Sequence, residues 1–128
     1  LPAAQPASAV AAAEPYSAKR LAALEQAGHP VFVNMTAAWC ITCKVNERVA
    51  LSGQGFDDLL GRRNIVYLQG DWTNRDAEIT RFLERFRRIG VPLYVFFPGG
   101  GLEPVVLPQI LSPGLVDDTL SGAGTKQS

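Results

Sequence analysis

Continuous apolar runs and helically spaced apolar residues alternate along the chain. The runs, each bounded by turn-forming residues, predict buried strands at 30–37 (PVFVNMTA), 64–71 (NIVYLQGD) and 93–97 (LYVFF). A further run at 103–108 (EPVVLP) predicts a strand at the sheet edge, because its prolines cannot donate to a hydrogen-bond ladder. The segment PGGG at 98–101 predicts a hairpin turn between the last two strands.

The first helix is predicted to begin after Ser17, whose side chain can cap it, and to end near Ala27. Leu21 and Leu24 lie on its inward face. Gly28 follows, a residue type that commonly stops a helix.

The clearest helical pattern lies at 73–90 (TNRDAEITRFLERFRRIG). Acidic residues in its first turn favour a helix start there, and Gly90 predicts its end. The arginines of this segment predict a solvated face. One apolar face is formed by residues at helical spacing, namely Ile79, Phe82, Leu83, Phe86 and Ile89.

Three shorter helices complete the pattern. One begins at the cysteine pair and carries Ile41, Val45 and Val49 on a single face, four residues apart. A second is predicted within 57–63 (DDLLGRR). The third begins at Ser112-Pro113, since proline is favoured at the first helical position.

This order of elements predicts one α/β domain. Parallel βαβ units, then an antiparallel hairpin and a closing helix, make a small three-layer sheet. Residues 1–15 are mostly alanine and proline with almost no large side chains, which predicts a flexible linker. Residues 122–128 are predicted to be a disordered tail, which leaves a domain at 16–121.

Composition narrows the possible functions. The chain has 128 residues, 47% of them hydrophobic, and 12 basic residues balance 12 acidic ones. Without a basic excess we expect no nucleic-acid partner. No apolar run approaches the roughly 18 residues that span a bilayer. The chain begins with Leu1 and no basic segment precedes an apolar stretch, so we expect an excised domain or mature fragment.

The candidate chemistry lies in WCITCK, which contains both cysteines of the chain, Cys40 and Cys43. A purely structural disulfide is disfavoured, because closing so short a loop stabilises a fold by only about 2 kcal/mol. Zinc is disfavoured because it takes four ligands and the chain offers two cysteines and one distant histidine. A working dithiol and a Cu(I) site made of two thiolates remain open.

The positions of the two cysteines predict different roles. Cys40 lies at the start of a helix, where free backbone N–H groups and the helix dipole favour a thiolate. Cys43 lies one turn deeper and is predicted to be shielded. Cys40 is therefore predicted to attack a partner disulfide, and Cys43 to resolve the mixed disulfide.

Two longer stretches carry a resemblance to a known family. VFVNMTAAWCITCKVNE (31–47) and DWTNRDAEITRFLERFRRIGVPLYVFF (71–97) resemble the C-terminal domain of DsbD-type thiol:disulfide interchange proteins. Within that group the chain is most similar to the ScsB-like branch, which is associated with copper-stress tolerance. The resemblance covers about residues 17–120. It implies a thioredoxin-like fold, with a central mixed sheet of about four strands flanked by helices.

The resemblance also implies roles for individual residues. Cys40 matches the attacking cysteine and Cys43 the resolving one. Pro92 matches a cis-proline that faces the dithiol, and Trp39 an aromatic residue beside it. Glu47 matches an acidic residue near the cysteines. From the residues alone, Trp39 can instead belong to the core and Glu47 to a solvated helix face.

Two further positions follow from the same resemblance. Val91 precedes the cis-proline and is implied to offer its backbone to a substrate strand. Asn34 occupies the position at which the family carries a buried aspartate, six residues before Cys40. This departure puts the usual proton acceptor for the resolving thiol in doubt and leaves Glu47 as the acidic candidate.

The resemblance implies a place in an electron-transfer circuit. A domain of this type is periplasmic, as a soluble domain of an inner-membrane protein. It takes electrons from the transmembrane domain of the same parent and reduces an N-terminal domain or other periplasmic thioredoxin-like proteins. No cofactor and no metal are expected, and the isolated domain is expected to be a monomer. Cu(I) delivery through the thiolates and a redox-inactive interaction module are the alternatives.

Overall fold

The computed structural model describes residues 13–122, which form a sheet covered on both faces by helices. No helix within this range is long and apolar enough to cross a membrane. In chain order the elements are β1 (Glu14–Pro15), α1 (Ala18–Gln26), β2 (Val31–Thr36), α2 (Ile41–Val49), α3 (Gln54–Arg62), β3 (Val66–Asp71), α4 (Ala77–Arg85), β4 (Leu93–Phe97), β5 (Val105–Val106) and α5 (Pro113–Leu120).

The sheet has the strand order β1-β3-β2-β4-β5. The first three strands in this order are parallel, while β4 runs antiparallel to both β2 and β5. All residues of β2 and β4 are buried because helices cover both faces, which explains why β4 is a continuous apolar run and why β2 is apolar except at Asn34 and Thr36. In the central register Asn34 lies between Gln69 of β3 and Tyr94 of β4.

Each face of the sheet packs its own apolar cluster. The helices α1 and α4 cover one face. There Leu21 and Phe82 pack against the buried side chains that β2 and β4 direct toward these helices. The opposite face is covered by α3, by α5 and by the C-terminal end of α2. On this face Phe32 stacks on Tyr67 with ring centroids 5.5 Å apart. The predicted three-layer arrangement is therefore confirmed.

A short N-terminal strand lies within the segment that was predicted to be linker. Residues 1–15 were expected to be linker, but Glu14–Pro15 pair in parallel with β3, and Tyr16 donates its N–H to the Gln69 carbonyl at 2.9 Å. The edge of β3 offers backbone groups that a short segment can satisfy without large side chains. The sheet consequently has five strands instead of about four. Residues 1–12 of the predicted linker, and the tail after Gly122, lie outside the described residues.

The helix α4 ends earlier than predicted. Its last residue is Arg85, and Arg87 takes the left-handed conformation with φ +61°. The N–H of Arg88 bonds the carbonyl of Leu83, and that of Arg87 bonds Glu84, which is the hydrogen-bond pattern of a Schellman cap. Ile89 therefore leaves the predicted apolar face and is 98% exposed.

The apolar face predicted for α2 points to solvent. Ile41 is 76% exposed, and Val45 and Val49 are about half exposed. Cys43 and Asn46 are the buried residues of this helix instead. The periodicity identified a single apolar face, but the face that turns inward is the one that carries Cys43 and Asn46.

Candidate active site at the start of helix α2

The dithiol lies where β2 passes into α2. A tight turn closes this junction, since the N–H of Cys40 donates to the Ala37 carbonyl at 3.1 Å. Cys40 is the N-cap of α2, with extended backbone, and its carbonyl accepts the N–H of Lys44 at 3.2 Å. The sequence prediction that the cysteine pair opens the helix is confirmed.

Cys40 and Cys43 are joined by a disulfide, with their Cα atoms 5.3 Å apart. Cys43 is fully buried, whereas Cys40 retains 7% exposure. The backbone N–H of Cys43 donates to the sulfur of Cys40 at 3.1 Å. The same N–H is placed to stabilise a thiolate at Cys40 once the disulfide is reduced.

The Val91–Pro92 segment lies against the dithiol. Its peptide bond is cis, as the resemblance implied. Val91 packs against the small cluster that contains Ala37, Cys40 and Cys43. Residues about fifty positions apart in sequence thus meet at one site.

Trp39 lies at the surface and not in the core. It is 48% exposed, and its indole N–H donates to the carbonyl of Thr73 at 3.1 Å. Its ring lies 6.1 Å from that of Trp72, and the guanidinium of Arg75 lies over both rings. Thr73 and Arg75 were not identified from the sequence, because they follow β3 and nothing in their own spacing links them to the cysteines.

A buried polar layer lies between α2 and the sheet. Asn34 is fully buried and donates from Nδ2 to the hydroxyl of Tyr67 at 2.9 Å. Burial, the largest effect, raises the pKa of Tyr67, and the hydrogen bond from Asn34 opposes that rise. The Oδ1 atom of Asn34 is buried, and no group within residues 13–122 donates to it.

Asn46 joins α2 to two other parts of the fold. Its Nδ2 donates to the hydroxyl of Tyr94 at 2.9 Å and to the carbonyl of Gln109 at 2.7 Å, and its Oδ1 accepts the N–H of Leu111 at 3.0 Å. Burial raises the pKa of Tyr94 to about 12, against the effect of the Asn46 bond. Asn46 was missed from the sequence, although a polar residue three positions after Cys43 shares its helix face.

Glu47 lies at the edge of this layer. Its charge contributes to the raised pKa of both Tyr67 and Tyr94, after burial as the main cause. Its Oε2 atom is buried without a hydrogen-bond partner among the described residues. Glu47 also lines a cavity of about 300 Å³ that opens between α2 and the end of β3, beside Lys44 and Asp71. It is therefore only partly solvated.

Within residues 13–122, no three His, Cys, Asp or Glu side chains are grouped so that they could hold a metal ion. The sulfur atoms of Cys40 and Cys43 are the soft donors of the site.

Comparison with protein families identifies the fold. A family model described as thioredoxin-like matches residues 12–99, well over half of the chain. The chain belongs to the thioredoxin-like family. The region that matches this thioredoxin-like model contains β2, the dithiol and the Val91–Pro92 segment. The predicted fold class is confirmed.

Within this family, the chain is similar in sequence to one group of curated proteins. The thiol:disulfide interchange protein DsbD of Yersinia pestis (strain Pestoides F) is 38% identical over 85 residues, which are 64% of this thioredoxin-like chain and 14% of the relative. DsbD of Escherichia coli (strain K12) is 32% identical over 96 residues, 75% of this chain and 16% of the relative. The chain thus spans only a small part of the length of these relatives.

Solved structures agree on the architecture. The oxidised C-terminal domain of Neisseria meningitidis DsbD superposes with a TM-score of 0.67 at 20% identity, covering 86% of this chain and 97% of that one. A thioredoxin from Thermus thermophilus gives a TM-score of 0.67 at 24% identity, covering 89% and 88%. At these identities the likeness supports the thioredoxin fold alone.

Proposed function

We propose that this domain is a protein-disulfide reductase that works by dithiol–disulfide exchange. The observation that carries the proposal is the position of Cys40 as N-cap of α2, with the N–H of Cys43 donating to its sulfur. This arrangement favours a thiolate at Cys40. The sequence similarity to DsbD proteins supports the same chemistry.

The exchange proceeds in two steps. The Cys40 thiolate attacks a partner disulfide, so that one S–S bond breaks, a mixed disulfide forms and one partner thiolate leaves. The Cys43 thiol then loses its proton and attacks the Cys40 sulfur, which releases the second partner thiolate. The domain ends with a Cys40–Cys43 disulfide, and the partner gains two electrons, after which its two thiolates take up protons from solvent.

The surrounding residues have supporting roles in this proposal. Glu47 accepts the proton from Cys43, since Asn34 replaces the carboxylate expected deeper in the site. The backbone of Val91, held by the cis bond to Pro92, pairs with an extended partner segment. Trp39, which directly precedes Cys40 and is half exposed, is the aromatic residue beside the dithiol that the resemblance implied.

The wider circuit belongs to the same proposal. The domain works in the periplasm as part of an ScsB-like inner-membrane protein, takes electrons from a transmembrane domain and passes them to periplasmic thioredoxin-like proteins. The similarity to one segment of the DsbD chains supports this placement.

Reduction of insulin disulfides tests the chemistry. The reduced domain is expected to accelerate insulin reduction by dithiothreitol, and Cys40→Ser is expected to abolish the acceleration. Copper delivery is the competing function, so the reduced domain is also titrated with Cu(I) in the presence of a competing chelator. Stoichiometric Cu(I) binding without insulin reduction would overturn the proposal.

A further inference from the structure

The segment 71–75 (DWTNR), which begins at the last residue of β3, holds the two residues that precede Cys40. The hydroxyl of Thr73 accepts the backbone N–H of Ala38 at 2.8 Å. The carbonyl of Thr73 accepts the indole N–H of Trp39 at 3.1 Å. One residue thus contacts the backbone of Ala38 and the side chain of Trp39, from a position 34 or more residues away in the sequence.

The orientation of the Thr73 hydroxyl is fixed by Asp71. The hydroxyl donates to Oδ1 of Asp71 at 2.5 Å, and the backbone N–H of Thr73 donates to the same oxygen at 3.0 Å. Because the hydroxyl has a single proton and gives it to Asp71, its lone pairs are free to accept the N–H of Ala38. The carboxylate form of Asp71 is favoured in turn, since these two bonds, the hydroxyl first, lower the Asp71 pKa.

The segment is itself anchored to the rest of the fold. The N–H of Trp72 donates to the Thr36 carbonyl at 2.7 Å, and its indole N–H donates to the hydroxyl of Thr80 at 2.8 Å. Arg75 has a left-handed φ of +53°, and its guanidinium lies 5.1 Å from the ring centre of Trp39 and 5.3 Å from that of Trp72. A firmly held loop therefore contacts the turn that carries Cys40.

We propose that Thr73 is a positioning residue for the dithiol, whose hydroxyl holds the Ala37–Cys40 turn so that Cys40 stays at the N-cap of α2. The turn is closed at its ends by the bond between the Cys40 N–H and the Ala37 carbonyl. The hydroxyl of Thr73 holds the middle of this turn through the N–H of Ala38. Without this contact the Cys40 sulfur spends less time near the helix N–H groups, and its thiolate loses stabilisation.

If Thr73 served only to stabilise the fold, its loss would lower stability without a specific effect on Cys40. Trp39 is half exposed and the Ala38 contact lies at the surface, so little apolar area depends on Thr73. Loss of the hydroxyl is therefore expected to change Cys40 reactivity while the fold is retained.

The test compares Thr73→Val with Thr73→Ser in the full chain. Valine has nearly the shape of threonine but no hydroxyl, whereas serine keeps it. The readout is the rate of iodoacetamide alkylation of Cys40 against pH in the reduced protein. We expect Thr73→Val to raise the Cys40 pKa by about half a unit, which slows alkylation about threefold below the pKa. Thr73→Ser should match the wild type.

Equal profiles for Thr73→Val and the wild type, or equal shifts for both variants, would overturn the proposal. Should Thr73→Val not fold, Asp71→Ala serves instead, because Asp71 is exposed and orients the hydroxyl. Because Asp71→Ala also removes a negative charge, it is compared with Asp71→Asn, which removes the same charge but keeps an oxygen that can accept both bonds. The Cys40 pKa is expected to be higher in Asp71→Ala than in Asp71→Asn, and equal values would likewise overturn the proposal.

The inference concerns the dithiol of the proposed function, but its readout needs no protein partner. If the wild type failed to reduce insulin while Thr73→Val still shifted the alkylation profile, the reductase proposal would fall and the positioning role would stand. If the wild type reduced insulin while Thr73→Val left the alkylation profile unshifted, the reductase proposal would stand and the positioning role would fall.

Discussion

The side-chain amide of Asn34 donates a hydrogen bond to the hydroxyl of Tyr67, 2.9 Å away, in the buried layer beneath α2. The resemblance to DsbD-type domains implies an aspartate at this position. A neutral amide here leaves Glu47 as the acidic residue whose charge affects the buried tyrosines of that layer. The electrostatics of the dithiol are therefore expected to differ from those of relatives that carry the aspartate.

We expect Asn34→Asp to raise the Cys40 pKa. A carboxylate at this buried position would place a second negative charge near the Cys40 thiolate, and like charges in a site of low dielectric disfavour ionisation. The rise should be on the order of one unit, about 1.4 kcal/mol. The measurement is the pH dependence of iodoacetamide alkylation in the reduced protein.

Glu47→Gln is the matched control in the opposite direction. It removes the carboxylate that remains and should lower the Cys40 pKa modestly, by the same reasoning. An unchanged or lowered Cys40 pKa in Asn34→Asp would mean that position 34 does not act on the dithiol and that the helix terminus alone sets its reactivity.

The two cysteines should behave differently in trapping experiments. Cys43 is fully buried, whereas Cys40 is partly accessible, so Cys40 should make the bond to a partner. Cys43→Ser should then accumulate mixed disulfides with oxidised proteins, because no thiol remains to resolve them. Non-reducing gels of periplasmic extracts measure the trapped species. Equal trapping by Cys40→Ser would reverse the assignment.

Arg87→Gly should stabilise the domain. Arg87 holds a left-handed conformation at the end of α4, which costs a residue with a side chain more than it costs glycine. After the entropy that glycine adds to the unfolded chain, the gain should be about 0.5 to 1 kcal/mol. Urea denaturation measures it.

Arg81→Gly is the matched control for that substitution. Arg81 is exposed within α4, where glycine should instead destabilise by about 1 kcal/mol. If both glycine variants lost stability to the same extent, the left-handed conformation at Arg87 would not be a source of strain.

Sequence patterns predicted those features that local chemistry determines. Strands β2 and β4 were recognisable because both faces are covered, which makes most of their positions apolar. Ser17 caps α1, as its side chain predicted, and α5 begins at Pro113, as proline at the first helical position predicted. The dithiol was evident because cysteine spacing and helix position are both local.

Features determined by distant contacts were not predictable in the same way. Strand β1 consists of backbone that completes an edge, so its small side chains gave no indication of it. The hydroxyl of Thr73 acts on a turn that precedes it by more than thirty residues. Apolar periodicity placed Ile41, Val45 and Val49 on one face of α2, but it did not reveal that the opposite face, with Cys43 and Asn46, turns inward.

The residues just before α1 should contribute to stability although the rest of the N-terminal segment is predicted to be linker. The ring of Tyr16 lies 5.4 Å from that of Phe82, and Glu14–Pro15 pair with β3. Deleting residues 1–12 should change the melting temperature by no more than a degree or two. Deleting residues 1–16 should lower it by at least about 5 °C, roughly 1 kcal/mol for a domain of this size. Equal melting temperatures for both deletions would show that β1 adds nothing.

Asn46 should matter more to stability than the valine beside it. Truncating Asn46 to alanine leaves the carbonyl of Gln109, the N–H of Leu111 and the hydroxyl of Tyr94 without the bonds they make now. Leaving buried polar groups unsatisfied costs about 1 to 3 kcal/mol, so we expect Asn46→Ala to lose at least about 2 kcal/mol.

Val45→Ala in the same helix is the control for Asn46→Ala. Val45 is half exposed, and alanine favours the helix, so its truncation should change stability by less than about 0.5 kcal/mol. Urea denaturation of the two variants provides the comparison. A hydrophobic pattern alone predicts that Val45 contributes more to stability than Asn46. A larger loss for Val45→Ala would therefore mean that the apolar face of α2 is buried after all. A larger loss for Asn46→Ala would show that the polar contacts of Asn46 determine how the helix carrying the dithiol is seated on the sheet.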